Sequence, residues 1–406
     1  MRDNTIDGQI ATVLRNDLCS GCGACCLLDP GLEMQIVDGY ERPVRTAGTS
    51  AGPDVARTFG EICPGLSVTS PAGGGRRHHP LVGDYLAMWS AHAADPRTRF
   101  VGSSGGVLTA LSGWLLDEGE VAQIVGAAAG ADARRTVPVR ITSKEEALAS
   151  AGSRYGPVAN ASCGGALDGA GGFVGKPCEV SAVRALSGRS PGPQPLLLSF
   201  FCAGTPSPDA TDDLVDALGV DAGQVTSLRY RGHGWPGRFT VETGSVIETM
   251  SYDESWGSHL GRKLQWRCKI CPDGLGGAAD IVAGDYWEVD ERGYPCFEDG
   301  AGRSVVIART PRGLDVLERA IAAGVLVAEP VEAAAVASGQ PSQQKRRETL
   351  VGRLTGSMAA GRRIPRFRGF GLLRRAPSKL RDNLVAARHS RRRILAEQAA
   401  RAGGRP

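Results

Sequence analysis

The chain has 406 residues, of which 42% are apolar and 22% are charged, so it is long enough for two or three globular domains. The net charge of +4 is uneven: 18 basic and 3 acidic residues follow from Lys345 onward, against 29 basic and 40 acidic residues before it. No apolar run reaches the roughly 18–20 residues of a transmembrane helix, and the N-terminus lacks the apolar stretch of a signal peptide. We therefore expect a cytoplasmic protein.

In chain order, the first group of cysteines comes before a glycine-rich linker at 70–75, and residues 85–99 are apolar and compatible with a helix. Apolar residues recur every three or four positions over 107–116, which predicts a helix ending near Gly119. Other short apolar segments predict strands at 122–128, 172–174, 196–201, 239–242, 279–282 and 304–308, with helices at 179–186, 208–217 and 313–323. The mixture predicts a central sheet with helices, of α/β or α+β type.

The first cysteine group is a C-x2-C-x2-C run formed by Cys19, Cys22 and Cys25. A Cys-Pro step at Cys63, 37 residues beyond Cys26, supplies a fourth thiol. Zinc sites usually use two separate C-x2-C steps, so three cysteines in one tight run favour a 4Fe–4S cluster over zinc or free thiols. Cys26 is expected to be a small buried residue.

The second cysteine group combines a C-x2-C step, Cys268 and Cys271, with two cysteines that each follow a predicted strand, Cys178 and Cys202. A single cysteine in such a place is more often a buried apolar residue than a ligand. Two of them, together with the C-x2-C step, favour a second cluster.

Several motifs follow one another between residue 18 and about residue 370. Besides the first cysteine group, they are Gly102-Ser103-Ser104-Gly105-Gly106, Ala151-Gly152-Ser153-Arg154-Tyr155-Gly156-Pro157-Val158, Gly175-Lys176-Pro177-Cys178, Phe201-Cys202-Ala203-Gly204, Tyr230-Arg231-Gly232-His233-Gly234-Trp235-Pro236-Gly237, Arg267-Cys268-Lys269-Ile270-Cys271-Pro272-Asp273 and the segment 279–287. In this order they resemble the coenzyme F420 hydrogenase/dehydrogenase beta-subunit family. The family is also similar to plant and cyanobacterial reductases of chlorophyll precursors.

The resemblance implies a flavoprotein with FAD and iron–sulfur centres that passes electrons between coenzyme F420, or a ferredoxin, and another small-molecule substrate. It implies an inner cluster near the flavin and an outer, ferredoxin-like cluster; their ligands would be Cys178, Cys202, Cys268 and Cys271 for the inner one, and Cys19, Cys22, Cys25 and Cys63 for the outer one. The family has threonine where this chain has Lys176, which would either stabilise a reduced flavin or mark a different substrate.

These inferences predict three regions. Residues 1–75 would form a small ferredoxin-like 4Fe–4S segment, and residues 76–335 a larger mixed-sheet domain that binds FAD and the other cluster. Residues 336–406 would be a basic C-terminal extension, either helical and packed back or partly disordered. Part of it, 343–347 with 362–370, resembles the family's own C-terminal region, so only 381–406 is expected to be free to meet an anionic membrane or a partner.

Four residues at the predicted helix start, Ser103, Ser104, Gly105 and Gly106, offer backbone N–H groups and hydroxyls to the FAD pyrophosphate. The alternative is an ordinary serine N-cap. No glycine fingerprint of a Rossmann dinucleotide site follows a predicted strand, which disfavours a nicotinamide cofactor.

Other polar residues have both a functional and a structural interpretation. Arg154 and Tyr155 would add a cation and a stacking surface to the cofactor site, or form a surface turn. Asp285 would orient a ligand or bind a ribose hydroxyl, or cap a turn. His233 and His259 are candidates for proton transfer because imidazole titrates near neutral pH, although a single histidine is more often structural.

Three functions remain open from the sequence. The first is an FAD and iron–sulfur oxidoreductase that uses F420 or ferredoxin. The second is an electron-transfer subunit that relays electrons to a partner enzyme. A zinc-stabilised nucleic-acid binder is disfavoured, because the basic tail holds no recognisable nucleic-acid motif.

Overall fold

The computed structural model describes residues 5–71, 77–291 and 294–403. Most of the predicted linker, residues 72–75, and the end of the tail, residues 404–406, lie outside the described residues. The α-helices are α1 (Ile6–Arg15), α2 (Pro53–Ile62), α3 (Pro96–Val101), α4 (Val107–Asp117), α5 (Lys144–Ala149), α6 (Pro177–Ser187), α7 (Pro208–Ala217), α8 (Tyr252–Glu254), α9 (Trp266–Lys269), α10 (Pro311–Ala322), α11 (Ala333–Ser338), α12 (Pro341–Glu348), α13 (Leu350–Ala359), α14 (Leu372–Arg375) and α15 (Leu380–Gly403).

The strands alternate with these helices along the chain. They are β1 (Leu32–Val37), β2 (Tyr40–Arg45), β3 (Ser67–Thr69), β4 (Arg77–His79), β5 (Gly83–Tyr85), β6 (Ala87–Ala93), β7 (Ile124–Ala129), β8 (Thr136–Ile141), β9 (Gly172–Gly175), β10 (Leu196–Phe200), β11 (Ser227–Arg229), β12 (Phe239–Glu242), β13 (Ile247–Met250), β14 (Ile281–Asp285), β15 (Ser304–Ala308), β16 (Leu326–Pro330) and β17 (Arg366–Arg368).

An eight-stranded mixed sheet forms the centre of the molecule, in the order β16-β6-β15-β14-β10-β9-β7-β8. The four strands β14, β10, β9 and β7 are parallel to one another, and the remaining neighbours pair antiparallel. This confirms the predicted α/β class. Because parallel strands end at one edge, the loops that carry Cys178 and Cys202 leave the sheet side by side.

The two faces of the sheet bury alternate residues of the same strands. Leu197 and Val305 point into one apolar cluster, whereas Leu198 and Val306 point into the other. This period of two is the geometry of a strand covered on both faces. Helix α6 packs on the first face, and helices α4 and α10 pack on the second.

One predicted element is wrong. Residues 85–99 form strand β6 followed by helix α3, not a single helix. Strand β6 lies between β15 and β16, and its buried residues are Met88, Ser90, Ala91 and Ala93. Pairing on both sides therefore overrides the weak helical preference of an alanine-rich segment.

The two ends of the chain pack together. Residues of α1 and α2 share one apolar cluster with Trp266 and with Leu350 and Ile394 from the C-terminal helices. Strand β17 pairs in parallel with β3, which joins the C-terminal extension to the N-terminal segment. Among the described residues, no helix is long and apolar enough to cross a membrane.

The expectation that residues 381–406 are free is wrong as far as residue 403. Helix α15 packs along α13, where the Asn383 side chain accepts a hydrogen bond from the Gly352 N–H at 2.7 Å. Ile394 is fully buried, and Arg401 pairs with Asp17 of the N-terminal segment at 3.2 Å. The basic extension is thus part of the folded body.

Candidate functional site

The outer set of cysteines, Cys19, Cys22, Cys25 and Cys63, lines one small cavity. The cavity lies between α1, α2 and the β1–β2 hairpin, and Val13, Phe59 and Ile62 supply much of its apolar wall. The structure therefore brings the four predicted outer ligands together although Cys63 is distant from the others in sequence.

Glycines shape the loop that carries three of these thiols. Gly21 and Gly23 have positive φ angles of +70° and +84°, which residues with a Cβ rarely adopt. A Cβ on Gly23 would lie 2.8 Å from the backbone nitrogen of Ser162. The neighbouring Ala161 N–H donates to the Cys22 carbonyl at 3.2 Å, so the loop is held against the turn at 160–162.

Two of the outer cysteines, Cys22 and Cys25, are buried, and Cys19 and Cys63 are partly buried. Burial raises the pKa of Cys22 to about 11 and raises the pKa of Cys63 further. A hydrogen bond with Cys26, together with burial, raises the pKa of Cys25. Thiols that resist ionisation on their own become thiolates when they bind a cationic metal centre, so this donor set fits one.

The inner set, Cys178, Cys202, Cys268 and Cys271, lies where β9 and β10 end. Cys178 is the second residue of α6, and Cys202 follows β10 and donates its N–H to the Gly274 carbonyl at 2.9 Å. Burial raises the pKa of Cys202 to about 12, and the nearby Cys268 and Cys271 contribute to this rise. The loops thus bring Cys202 close to the C-x2-C step, as a shared cluster requires.

Close approach in the inner set depends on Gly204, whose φ angle is +142°. A Cβ there would lie 3.1 Å from Cβ of Cys268. The Thr205 N–H donates to Cys268 Sγ at 3.3 Å, a type of bond that tunes the potential of iron–sulfur clusters. Within the described ranges, no three His, Cys, Asp or Glu side chains are close enough to share one metal ion. A 4Fe–4S cluster does not need its cysteines to be this close, because each cysteine sulfur binds a different iron atom.

A buried bridge connects the two sets through the residues just before Cys268. Gln265 donates from Nε2 to the Ser20 carbonyl at 3.0 Å, and Arg267 donates to the Pro64 carbonyl at 2.8 and 3.2 Å. Cys178 is also close enough to Cys22 and Cys202 for each thiol to raise its pKa, after the larger effect of burial. The two sets are therefore neighbours in one body.

A second buried group, the ion pair of Arg231 with Asp285, lies at the end of β14. Arg231 Nη1 donates to both carboxylate oxygens at 2.9 and 3.0 Å, and Nε donates to the Pro236 carbonyl at 2.8 Å. Burial lowers the pKa of Arg231, but the Asp285 carboxylate and other nearby groups raise it more, so the guanidinium stays charged. Its Nη2 is buried without a hydrogen-bond partner among the described residues.

Aromatic rings surround this guanidinium. The ring centroids of Trp235, Tyr252 and Trp287 lie 5.3, 4.6 and 5.7 Å from its central carbon. Trp235 and Trp287 are also in contact, with their centroids 4.4 Å apart. A cation held among aromatic faces is a suitable wall for a planar, electron-rich ring system.

The loop at 102–106 lies beside this group, since a Cβ on Gly232 would lie 2.4 Å from the Val101 carbonyl oxygen. Helix α4 has no side-chain N-cap, and the buried hydroxyl of Ser103 has no hydrogen-bond partner in the described structure. The Gly105 N–H and the Ser104 hydroxyl instead bond to the Ser304 hydroxyl and the Arg303 carbonyl. Ser103 and the helix start are thus the groups left for a ligand, while Ser104 and Gly105 hold the loop in place. Gly106, with φ +72°, is the N-cap residue of the helix.

The other predicted cofactor residues have more structural surroundings. Arg154 donates to the carbonyls of Ala133, Arg135 and Leu228, which favours a structural role over direct cofactor contact. Tyr155 packs between Tyr230 and Trp256.

The two predicted histidines have different surroundings. His233 is exposed, with its ring 5.4 Å from that of Phe100, and partial burial lowers its pKa. His259 ends a π-helical turn, Ser255–His259. In the part of the chain that the structure describes, neither histidine hydrogen-bonds to Arg231 or Asp285, so the structure adds nothing in favour of their predicted catalytic role.

Lys176 lies next to the inner cysteines. Its ammonium donates to the Glu179 carboxylate at 2.6 Å and to the Val158 carbonyl at 2.7 Å. Burial lowers the pKa of Lys176, but Glu179 and the nearby Cys178 and Cys202 raise it more.

The C-terminal extension covers the inner loops, which sequence reasoning did not foresee in detail. Gln343 donates to the Cys202 carbonyl at 2.9 Å, Arg346 to the Ala203 carbonyl, and Arg347 to the Pro272 carbonyl at 3.1 and 3.2 Å. The prediction that 343–347 fold back is confirmed. The bridge formed by Gln265 and Arg267 was not predicted; its only signal was that both residues lie within three positions before the C-x2-C step.

Comparison with known proteins gives two family matches, both to models of the coenzyme F420 hydrogenase/dehydrogenase beta subunit. The model of its N-terminal part matches residues 88–163, and the model of its C-terminal part matches residues 170–334. Together they span more than half of the chain. The inner cysteines lie within the second match, whereas the outer cysteines precede both.

Individual relatives agree with these matches. The chain is 26% identical over 264 residues to the coenzyme F420 hydrogenase subunit beta of Methanothermobacter thermautotrophicus, covering 62% of this chain and 87% of that protein. It is 27% identical over 214 residues to the F420-dependent formate dehydrogenase 1 subunit beta of Methanococcus maripaludis, covering 50% of this chain and 53% of that protein. A solved chain of the F420-reducing NiFe hydrogenase complex from Methanosarcina barkeri has 23% identity and a TM-score of 0.53, over 69% of this chain and 96% of that one, which supports the fold.

Proposed function

Because the chain belongs to the coenzyme F420 hydrogenase/dehydrogenase beta-subunit family, we propose that it is an FAD and iron–sulfur oxidoreductase that exchanges electrons with coenzyme F420 or a ferredoxin. The observation that carries this proposal is that hydrogen bonds hold the loops of two sets of four cysteines against each other, with the inner set at the sheet edge that also bears the Arg231–Asp285 pair. One-electron centres at the same sheet edge as a charged group among aromatic rings are the parts that such a reaction needs.

The cysteines are assigned by their surroundings. Cys19, Cys22, Cys25 and Cys63 would hold an outer 4Fe–4S cluster, and Cys178, Cys202, Cys268 and Cys271 an inner one. Such clusters accept and release single electrons. Gln265 and Arg267 hold the two ligand loops in a fixed relation, and residues of the C-terminal extension hydrogen-bond to the inner loops.

The FAD would lie between the loop at 102–106 and the aromatic rings around Arg231. The Ser103 hydroxyl and the start of α4 suit its pyrophosphate, which is an anion. FAD supplies the exchange between two-electron hydride chemistry and single-electron steps. Around it, Trp235, Tyr252 and Trp287 exclude water, and Arg231 offers an Nη2 N–H to an acceptor on the flavin or on the substrate.

A second function, an electron-transfer subunit that relays electrons to a partner enzyme, is favoured by one observation. The relatives named above are subunits of a hydrogenase and of a formate dehydrogenase. On this alternative the chain holds the same cofactors, but its electrons pass to or from a partner protein. A ferredoxin-dependent reductase that does not use F420 is a further form of the main proposal.

Anaerobic absorption spectroscopy tests the proposal. The purified chain should show flavin bands above broad iron–sulfur absorbance, and reduced F420 should bleach both. An Arg231→Met variant should slow the bleaching, whereas Arg262→Met, which changes an exposed arginine, should not. Bleaching by reduced ferredoxin but not by reduced F420 would favour the ferredoxin-dependent reductase. A chain that reacts with neither carrier unless a partner protein is present would favour the electron-transfer subunit. A colourless protein would contradict the proposal.

A further inference from the structure

Helix α15 packs on the body by one face and leaves the opposite face exposed. Asn383, Ser390 and Ile394 lie on the packed face and are buried. The exposed residues on the other side recur with the helical period of about 3.6 residues. We call this set the α15 ridge; it consists of Arg381, Leu384, Val385, Arg388, Arg392 and Leu395. Both family matches end before this helix, so the family resemblance does not account for the ridge.

The arginines of α15 fall into two groups. Arg393 pairs with Glu397 at 2.8 Å, and Arg401 pairs with Asp17 at 3.2 Å. The three ridge arginines, by contrast, form no ion pair with any carboxylate among the described residues. The ridge therefore presents three positive charges that a negatively charged partner would neutralise.

Apolar side chains lie between these charges. Leu384, Val385 and Leu395 are 53%, 43% and 39% exposed. A helix that lies in a membrane surface separates its apolar face from its basic face, whereas the ridge mixes both kinds of residue on one face. Arginine beside exposed apolar side chains is typical of protein–protein interfaces. The ridge thus favours an acidic protein over an anionic membrane.

The packed face of α15 belongs to the surroundings of the outer cysteines. Ile394 is part of the apolar cluster that contains Cys25, with Cys19 and Cys63 packed against it. The helix also pairs with Asp17, two residues before Cys19. A protein docked on the ridge would be separated from this apolar cluster by the width of one helix, roughly 10–12 Å.

We propose that the α15 ridge is the docking surface of an acidic electron-carrier protein that exchanges single electrons with the outer cluster. One electron leaves the reduced centre of the carrier and arrives at the outer cluster, or returns by the same route, with no bond made and no proton moved. The electron exchange rests on the proposed function, because it needs the outer cluster. The docking depends only on the folded ridge.

Binding of an acidic ferredoxin, as the probe, to the anaerobically purified full chain tests the docking. The affinity should fall as ionic strength rises, because salt screens exposed charges. The variant R388Q/R392Q removes two of the three ridge charges and should lower the affinity about tenfold. The matched control R140Q/R312Q removes two exposed arginines from β8 and α10 and should leave the affinity unchanged.

A second pair of variants tests the apolar part of the ridge. Leu384→Ser should lower the affinity about fivefold without changing its salt dependence, because it removes apolar area from the contact. Ile247→Ser changes an exposed residue of β13 and should alter neither. Equal affinities of these two variants would show that the apolar side chains of the ridge take no part in docking.

The docking surface would be overturned if the wild-type chain did not bind the ferredoxin, or if R388Q/R392Q and R140Q/R312Q bound it equally well. It would also be overturned, in favour of a membrane, if the chain sedimented with phosphatidylglycerol–phosphatidylcholine vesicles and R388Q/R392Q abolished this.

The electron exchange has its own readout. Reduced ferredoxin should reduce the outer electron paramagnetic resonance signal more slowly in R388Q/R392Q than in R140Q/R312Q, at equal iron content. Equal rates would overturn the exchange through the ridge. A wild-type chain that binds ferredoxin but shows no iron–sulfur signal would show instead that the proposed function fails.

Discussion

Arg267 donates two hydrogen bonds to the carbonyl of Pro64, from Nη2 at 2.8 Å and from Nε at 3.2 Å. Pro64 follows Cys63 of the outer set, and Arg267 precedes Cys268 of the inner set. The Arg267 side chain is almost fully buried and also lies over the ring of Phe367, with 5.5 Å to the centroid. The fold itself therefore fixes how the two ligand loops stand relative to each other.

Replacing this arginine should weaken the junction. Arg267→Met keeps most of the side-chain volume but leaves the Pro64 carbonyl without its donor, which should cost about 1–3 kcal/mol of unfolding free energy. Denaturant unfolding of the metal-free chain measures this, with the exposed Arg262→Met as a control that should change stability by less than about 0.5 kcal/mol. Equal stability of both variants would mean that the bridge is unimportant for the fold.

Glycine at position 23 should be required by space as well as by its backbone angle. Gly23→Ala places a Cβ 2.8 Å from Ser162 N, whereas Gly48→Ala, at φ +67°, meets nothing within 4 Å. The control carries only the strain of a positive φ, about 1–2 kcal/mol. Gly23→Ala should lower the free energy of unfolding by more than Gly48→Ala does. It should also lose the iron bound by the outer set. The measurements are the unfolding free energy and the iron content; equal losses in both variants would contradict the argument.

Cysteine spacing and apolar segments predicted much of the fold and of the candidate site. Strand 304–308 and helix 208–217 were predicted with the observed bounds, because both have clear apolar patterns. Strand β6 was missed, since its small residues carry little strand preference and pairing with β15 and β16 decides its conformation. Local pattern thus predicts an element only where tertiary contacts do not override it.

The candidate site, like the fold, was predicted only in part. The motifs contained the cysteines, Arg231, Arg267 and Asp285, but they did not predict the buried bridge that Gln265 and Arg267 form, because polar contacts across more than 200 residues leave no local pattern. The arginines of α15 led to the prediction of a free tail. The helix nevertheless packs against α13 through one small face that includes Asn383 and Ile394.

Two neighbouring serines should respond differently to substitution. Ser103→Ala removes a hydroxyl that has no protein partner in the described structure, so it should weaken FAD binding by about tenfold with little change in apoprotein stability. Ser104→Ala breaks the bond to the Arg303 carbonyl at 2.9 Å and should lower stability by about 1 kcal/mol. Flavin fluorescence titration and thermal unfolding measure the two effects. The reverse pattern would place the pyrophosphate elsewhere.

The C-terminal helix should contribute to stability through Ile394. Ile394→Ala removes a fully buried side chain and should cost about 2–4 kcal/mol, whereas Leu395→Ala changes a residue that is 39% exposed and should cost less than about 1 kcal/mol. Thermal unfolding of both variants checks this. A free tail would make the two substitutions equally silent.

Iron and acid-labile sulfide analysis is the most direct test of whether the two cysteine sets hold two clusters. The anaerobically purified chain should contain about eight iron atoms, and Cys63→Ser and Cys202→Ser should each retain about four. The two variants should keep different electron paramagnetic resonance signals, one from each set. About four iron atoms in the wild-type chain, with no loss in one of the variants, would contradict the two-cluster account.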